Sequence, residues 1–191
     1  MQQTEKFTQP NGFYMRGQRD INENVRAILV DWIISVHAKF KLLPETLFLT
    51  INLIDRYFSL FNVLKSDVQL VGVAALLIST KYEEIYPPNV KDFIYLTDNT
   101  YTRAQILAME QDILFHLQFE IQQTSSYRFL ERYWKISQAD TVTFFLAQYL
   151  LELALLDSKM NQYKPSLLAS TAIYVAMRVQ LPNQNQSIRI Q

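Results

Sequence analysis

The chain contains no cysteine, so neither a disulfide framework nor a thiolate metal site can be built from it, and a reducing intracellular setting is expected. Glycine is nearly absent as well. The three present, Gly12, Gly17 and Gly72, never stand at the spacing that lets backbone amides close on phosphate, which excludes a P-loop or a dinucleotide fingerprint. Net charge is lacking too: 18 basic residues balance 18 acidic ones, and no bulk positive field exists to drive nucleic-acid binding. No apolar run approaches the roughly 20 residues of a membrane span. The longest, Val68 to Ser79, is interrupted by Gln69 and followed by Lys81, Glu83 and Glu84. The first ten residues lack the basic-then-apolar order of a signal peptide. His37 and His116 are lone histidines on predicted helices, without a second ligand or nucleophile nearby, so no metal, cofactor or catalytic centre is expected.

What the chain does have is apolar residues at helical spacing. Val25, Ile28, Leu29, Trp32, Ile33, Val36 and Phe40 recur on one face and predict a helix over 25–40. Pro44 then suits the first turn of a second helix with Leu47, Phe48, Ile51, Ile54 and Phe58. A third helix is expected from Ser66 or Asp67 to about Lys81; its middle, Leu70 to Ile78, is apolar on every side, the mark of a helix surrounded by others. Pro87 and Pro88 end that region, and Val90, Phe93, Ile94 and Leu96 follow in a short helical piece. Thr102 with Gln105 is a capping-box signature for a helix reaching about Leu117. Strand alternation is absent, so the fold class expected is an all-α bundle.

Three charges break these patterns. Arg26 opens an apolar helix, Asp55 lies between Ile51 and Phe58, and Glu110 lies between Ile106 and Leu114. An unpaired buried charge is costly, so each requires a partner within the fold or on another molecule.

After Gln122 the chain resembles a partial second copy. Leu167 to Ala172 matches Leu70 to Ala75, Arg178 falls where Lys81 would be, and Leu153 to Asp157 matches Ile51 to Asp55. The two offsets differ, as expected if one inter-helix loop is shorter in the second copy. From Leu181 the sequence turns into a polar, breaker-rich tail, leaving two helices of the first unit without a counterpart. Their absence is expected to bare the apolar faces of Leu150, Leu153, Leu168 and Ile173.

Several ordered motifs resemble the cyclin family, and specifically its B-type mitotic members: Val25-Arg26-Ala27-Ile28-Leu29-Val30-Asp31-Trp32, Pro44-Glu45-Thr46-Leu47, Asn52-Leu53-Ile54-Asp55-Arg56-Tyr57, Leu70-Val71-Gly72, Lys81 to Pro88, Thr97 to Thr102 and Met109-Glu110. The fold implied is an N-terminal segment and helix over 1–23 (the helix supplied by 13–22), a five-helix cyclin box over 24–121, a partial second box over 122–180 and a polar tail over 181–191. Cyclins are not enzymes. They bind and switch on cyclin-dependent Ser/Thr kinases by docking on the kinase αC helix, so the resemblance implies a heterodimer with such a kinase, acting in the mitotic (G2/M) cell cycle in nucleus and cytoplasm.

The resemblance also distributes roles. Arg26 and Asp55 would form a structural ion pair, whereas Lys81 and Glu110 would face the kinase, with Ile78, Tyr82, Leu114, Phe119 and Ile121 as its apolar contacts. The alternative for Lys81 and Glu110 is an internal bridge between the third and fifth helices. Val25, Ile28, Leu29, Trp32 and Gln69 would line a groove for substrates or inhibitors bearing an Arg-x-Leu motif. Two departures stand out there: Val25 replaces the usual Met, and Ser35 and Lys39 occupy positions where A-type cyclins place acids, so weaker or differently tuned docking is expected. A destruction box of the Arg-x-x-Leu kind is not found ahead of the homology; Arg26 to Leu29 fits its letters but lies in a predicted helix. The competing readings are a TFIIB-like transcription module of the same fold and a non-activating cyclin fragment. Neutral charge and the Lys-Tyr-Glu-Glu motif disfavour the first.

Overall fold

The computed structural model describes residues 9–187, with side-chain surroundings through Gln180; positions 1–8 and 188–191 of the expected N-terminal segment and tail lie outside the described residues. Eight α-helices and two short 3₁₀ turns make up the described chain, without strands. The first unit comprises α1 (Glu23–Phe40), α2 (Pro44–Leu60), α3 (Val68–Glu83), α4 (Val90–Leu96) and α5 (Arg103–His116). The second comprises α6 (Ser126–Ser137), α7 (Thr141–Leu156) and α8 (Pro165–Ser187).

The helix limits follow the local chemistry. The Asn22 side chain accepts from Val25 N–H to start α1, and Lys41 ends it in the left-handed conformation. Pro44 occupies the first turn of α2. Thr102 and Gln105 make the reciprocal capping box of α5, as the sequence predicts.

Helix α3 is the hub. Every residue from Val71 to Thr80 is buried, and its buried hydroxyls are satisfied within the helix, Ser79 by Ala75 O and Thr80 by Leu77 O. A methyl group on Gly72 would come within 2.7 Å of Leu29 Cδ1, so glycine is what lets α1 pack this closely on α3.

Four expectations need correction. The N-terminal helix over 13–22 is a single 3₁₀ turn, Tyr14–Gly17. Gln18, just beyond it, donates to Phe58 O and Phe61 O and accepts from Val63 N–H, so its side chain closes the C-terminal end of α2. Helix α8 runs through Leu181 to Ser187 instead of giving way to a tail at 181. The shorter repeat spacing does not come from a shorter loop: α2 continues past Asp55 to Leu60, whereas α7 stops at Leu156, one residue ahead of the matching Asp157. Ile173 is buried in the core of the second unit with Phe129, Leu130 and Ala169, not bared. Leu153 is exposed, and Leu150 and Leu168 line an open apolar trough of about 360 Å³ between α7 and α8.

The two units share a boundary. Phe48 of α2 belongs to the second core, where its ring stacks on Tyr127 at 5.9 Å. Arg128 of α6 reaches Glu45 of α2 at 2.9 Å. Gln9, ahead of the first unit, donates to Asn161 O at 2.8 Å.

Candidate functional site: two ion pairs and a groove

Arg26 and Asp55 meet in a fork. Nε and Nη2 of Arg26 donate to Oδ1 and Oδ2 of Asp55, each at 2.7 Å, and both side chains are 1% exposed. Most of the remaining hydrogen-bonding capacity is also used. Arg26 Nη1 donates to Leu155 O at 2.8 Å, at the end of α7, and Asn161 Nδ2 donates to Asp55 Oδ2 at 2.8 Å. The Tyr14 hydroxyl donates to Asp55 Oδ1 at 2.5 Å and accepts from Arg26 Nε. Burial works against the Arg26 charge, but the Asp55 carboxylate outweighs it and holds the guanidinium above its ordinary range. Burial, aided by Asp55, likewise pushes the Tyr14 phenol far up, so it remains a donor. The pair therefore joins α1 to α2 and also clamps the second unit onto the first, through partners at 155 and 161 that the sequence pattern does not single out.

Lys81 and Glu110 are arranged differently. Lys81 Nζ donates to both Glu110 oxygens, at 2.6 and 2.9 Å, bridging α3 and α5. The internal bridge is thus formed in the free chain. It is also open: the Lys81 side chain is 46% exposed and that of Glu110 11%.

The apolar residues assigned to the same face divide by position. Phe119 is 68% exposed and Tyr82 is exposed, while Leu114 and Ile121 are half-buried against the core. Ile78 is 3% exposed and offers almost no surface, because it lies within the enclosed stretch of α3. Phe119 has φ 58°, a conformation that bulky residues seldom adopt. It is held there by its N–H to Leu114 O at 2.9 Å, closing the last turn of α5, and its ring is turned outward. Sequence reasoning passed over Ile85, Tyr86 and Phe115, which are also well exposed near the ends of α3 and α5. The breaker pair Pro87-Pro88 was the available signal for the first two.

The third site is a groove of about 370 Å³ lined by Val25, Ile28, Leu29, Trp32, Lys65, Val68 and Gln69. All five residues assigned to it are brought together. Leu29 is buried and forms the floor, whereas Ile28 is 70% exposed at the rim. Lys65, in the loop ahead of α3, and Val68, the first residue of α3, complete the lining.

Among the described residues, no group of histidine, aspartate or glutamate could hold a metal ion, and no helix is long and apolar enough to cross a membrane.

Comparison with known proteins gives a consistent picture. The cyclin N-terminal domain matches residues 1–122 and the cyclin C-terminal domain residues 124–189. Cyclin-B2-1 of Arabidopsis thaliana is 50% identical over 85% of this chain and 38% of its own length. G2/mitotic-specific cyclin-B of Dictyostelium discoideum is 44% identical over 87% of this chain and 38% of its own. The chain thus spans about two fifths of the length of these relatives. A viral cyclin from herpesvirus saimiri superposes with a TM-score of 0.84 at 20% identity, covering 94% of this chain and 80% of that one, which shows the shared fold. The chain belongs to the cyclin family, among its B-type members.

Proposed function

We propose that this chain binds a cyclin-dependent Ser/Thr protein kinase and raises its activity in the mitotic (G2/M) cell cycle, as the regulatory partner in a heterodimer that works in nucleus and cytoplasm. The observation that carries the reading is the Lys81–Glu110 pair, a bridge whose lysine stays half open beside exposed Tyr82 and Phe119. A kinase is active when its strand lysine is held against a glutamate on its αC helix, and a partner that packs on αC can fix that geometry. Such a contact needs a greasy centre and a few directional charges. Tyr82, Phe119, Leu114 and Ile121 supply the first, and Lys81 with Glu110 the second. Phe119 adds a further argument, since a strained and outward-facing aromatic costs about 1–3 kcal/mol in backbone conformation and is characteristic of contact sites. Relatives named as mitotic cyclins support the cell-cycle role. The groove of Val25, Ile28, Leu29, Trp32 and Gln69 serves, in the same reading, to hold substrate or inhibitor peptides while the kinase acts.

The test is phosphate transfer to a generic Ser/Thr substrate by a purified mitotic cyclin-dependent kinase, with and without this chain. Stimulation of at least about 100-fold is expected, and the Lys81→Ala/Glu110→Ala variant should lose most of it, in line with the about 2–3 kcal/mol carried by central contact residues. Tight binding without stimulation would instead make the chain an interfering partner, and unchanged stimulation by the double variant would move the contact elsewhere.

A further inference from the structure

We infer that the outer face of α7 and α8 is a self-association surface, on which a second copy of this chain packs to form a two-fold dimer. The second unit is the half-enclosed counterpart of the first. Helix α3 is covered on one side by α5 and is buried from Val71 to Thr80. Helix α8, which matches α3 in sequence, has no such cover among the described residues and exposes Thr171, Tyr174, Val175 and Met177. On α7, Val142, Phe145, Tyr149 and Leu153 recur at helical spacing, and all are exposed. The trough lined by Leu150, Ala154 and Leu167 joins the outer sides of the two helices into one surface.

Composition and size select the occupant. From Thr141 to Leu156 and from Pro165 to Met177 the two helices carry a single charged side chain, Glu152, to which Gln148 donates at 2.8 Å. Charge depletion of this extent marks interfaces between identical subunits more than those between transient partners. A two-fold contact sets the same patch against itself, so an apolar, nearly neutral patch meets its complement without like-charge repulsion. The rings of Phe145, Tyr149 and Tyr174 are 57–61% exposed. At 150–250 Å² per aromatic side chain they offer roughly 270–450 Å² per copy. The aliphatic side chains and trough walls between them carry the face toward the about 800 Å² per partner that a stable dimer buries. An apolar patch of that size exceeds what a lone soluble domain usually exposes. None of these residues belongs to the Lys81–Glu110 face or to the α1–α3 groove, so pairing and the proposed kinase contact use different residues.

Sedimentation velocity of the full chain from about 1 to 100 μM tests the inference. A saturating monomer–dimer equilibrium with a dissociation constant of about 1–10 μM is expected. Phe145→Glu/Tyr174→Glu should weaken it by about 100-fold, because carboxylates of one copy are then brought against those of the other. Both positions are exposed, so the melting temperature should hold. Tyr95→Glu, at an exposed ring on α4, should change nothing. Because the chain has no cysteine, a spin label at Tyr149→Cys reports from one site, and it should give a defined distance to its copy. A chain that stays monomeric, or a label with no partner in range, overturns the inference and leaves the face to another occupant, such as a helix of a different protein. Open-ended association that Tyr95→Glu weakens as much as the double variant also overturns it, since that is general stickiness and not a two-fold contact.

Discussion

Arg26–Asp55 and Lys81–Glu110 are the same chemistry at the same sequence separation of 29 residues, and each bridges two helices of the first unit. Their surroundings make them different objects. The first is sealed at 1% exposure, with the guanidinium and both carboxylate oxygens engaged by Tyr14, Leu155 and Asn161 as well as by each other. A pair so fully enclosed presents no surface to a partner molecule, and its work is to hold two units together. The second consists of one ammonium and one carboxylate, open on the lysine side. A bridge of this kind contributes little to the fold and can exchange partners at small expense. Burial and the number of bonds made, more than the presence of opposite charges, separate a staple from a contact point.

Breaking the staple should have the largest effect. Arg26→Ala leaves Asp55 buried without its counter-charge and Leu155 O without its donor, and removing one partner of a buried pair costs about 3–5 kcal/mol. Urea denaturation should show a loss of that size, and because the network spans both units, it should appear as one shifted transition or as early release of the second unit. A loss below about 1 kcal/mol would mean that water replaces the guanidinium and that the pair is not a staple.

That both charges needed partners was legible from the sequence, since each interrupts an apolar face of known period. Most of the fold was legible for the same reason: periodicity, Pro44 and the Thr102–Gln105 box place the five helices of the first unit within a few residues. What could not be read were contacts that local pattern does not encode. Nothing around Leu155, Asn161 or Tyr14 announces a hydrogen bond to a residue far away in sequence. Lys65 reaches the groove only because the loop ahead of α3 folds beside α1. Ile78 was assigned to a contact surface by family pattern, yet an all-apolar helix gives no signal of which of its faces stays open. The helix expected over 13–22 is only the 3₁₀ turn Tyr14–Gly17, because Tyr14 bonds to Asp55 of α2 and Gln18, just beyond the turn, bonds to the end of that helix.

A smaller change separates the two jobs inside the staple. Asn161→Ala removes the donor that the second unit contributes to Asp55 and leaves the Arg26 fork intact. A hydrogen bond to a charged group is worth about 1.5–3 kcal/mol. Amide exchange should therefore accelerate in α7 and α8 more than in α3, whose amides report the first core. Uniform acceleration would show that the two units open together and that Asn161 is no more than one bond among many.

The smallest effect on stability is expected at the open pair, where the contrast with Arg26 is most direct. Lys81→Ala removes a half-exposed ammonium and opens a path by which water can reach Glu110, whose side chain is 11% exposed. Exposed pairs contribute about 0–1 kcal/mol, so the melting temperature should fall by a few degrees at most. Kinase stimulation should fall far more if Lys81 faces the kinase as proposed, because an ammonium desolvated against a partner cannot hand its hydrogen bonds to water. The ratio of the two losses is the quantity to measure: a large loss of stimulation beside a small loss of stability marks a contact residue. If instead Lys81→Ala destabilised the free chain as much as Arg26→Ala, the bridge between α3 and α5 would be a second staple, and the kinase-facing role would have to pass to Tyr82 and Phe119.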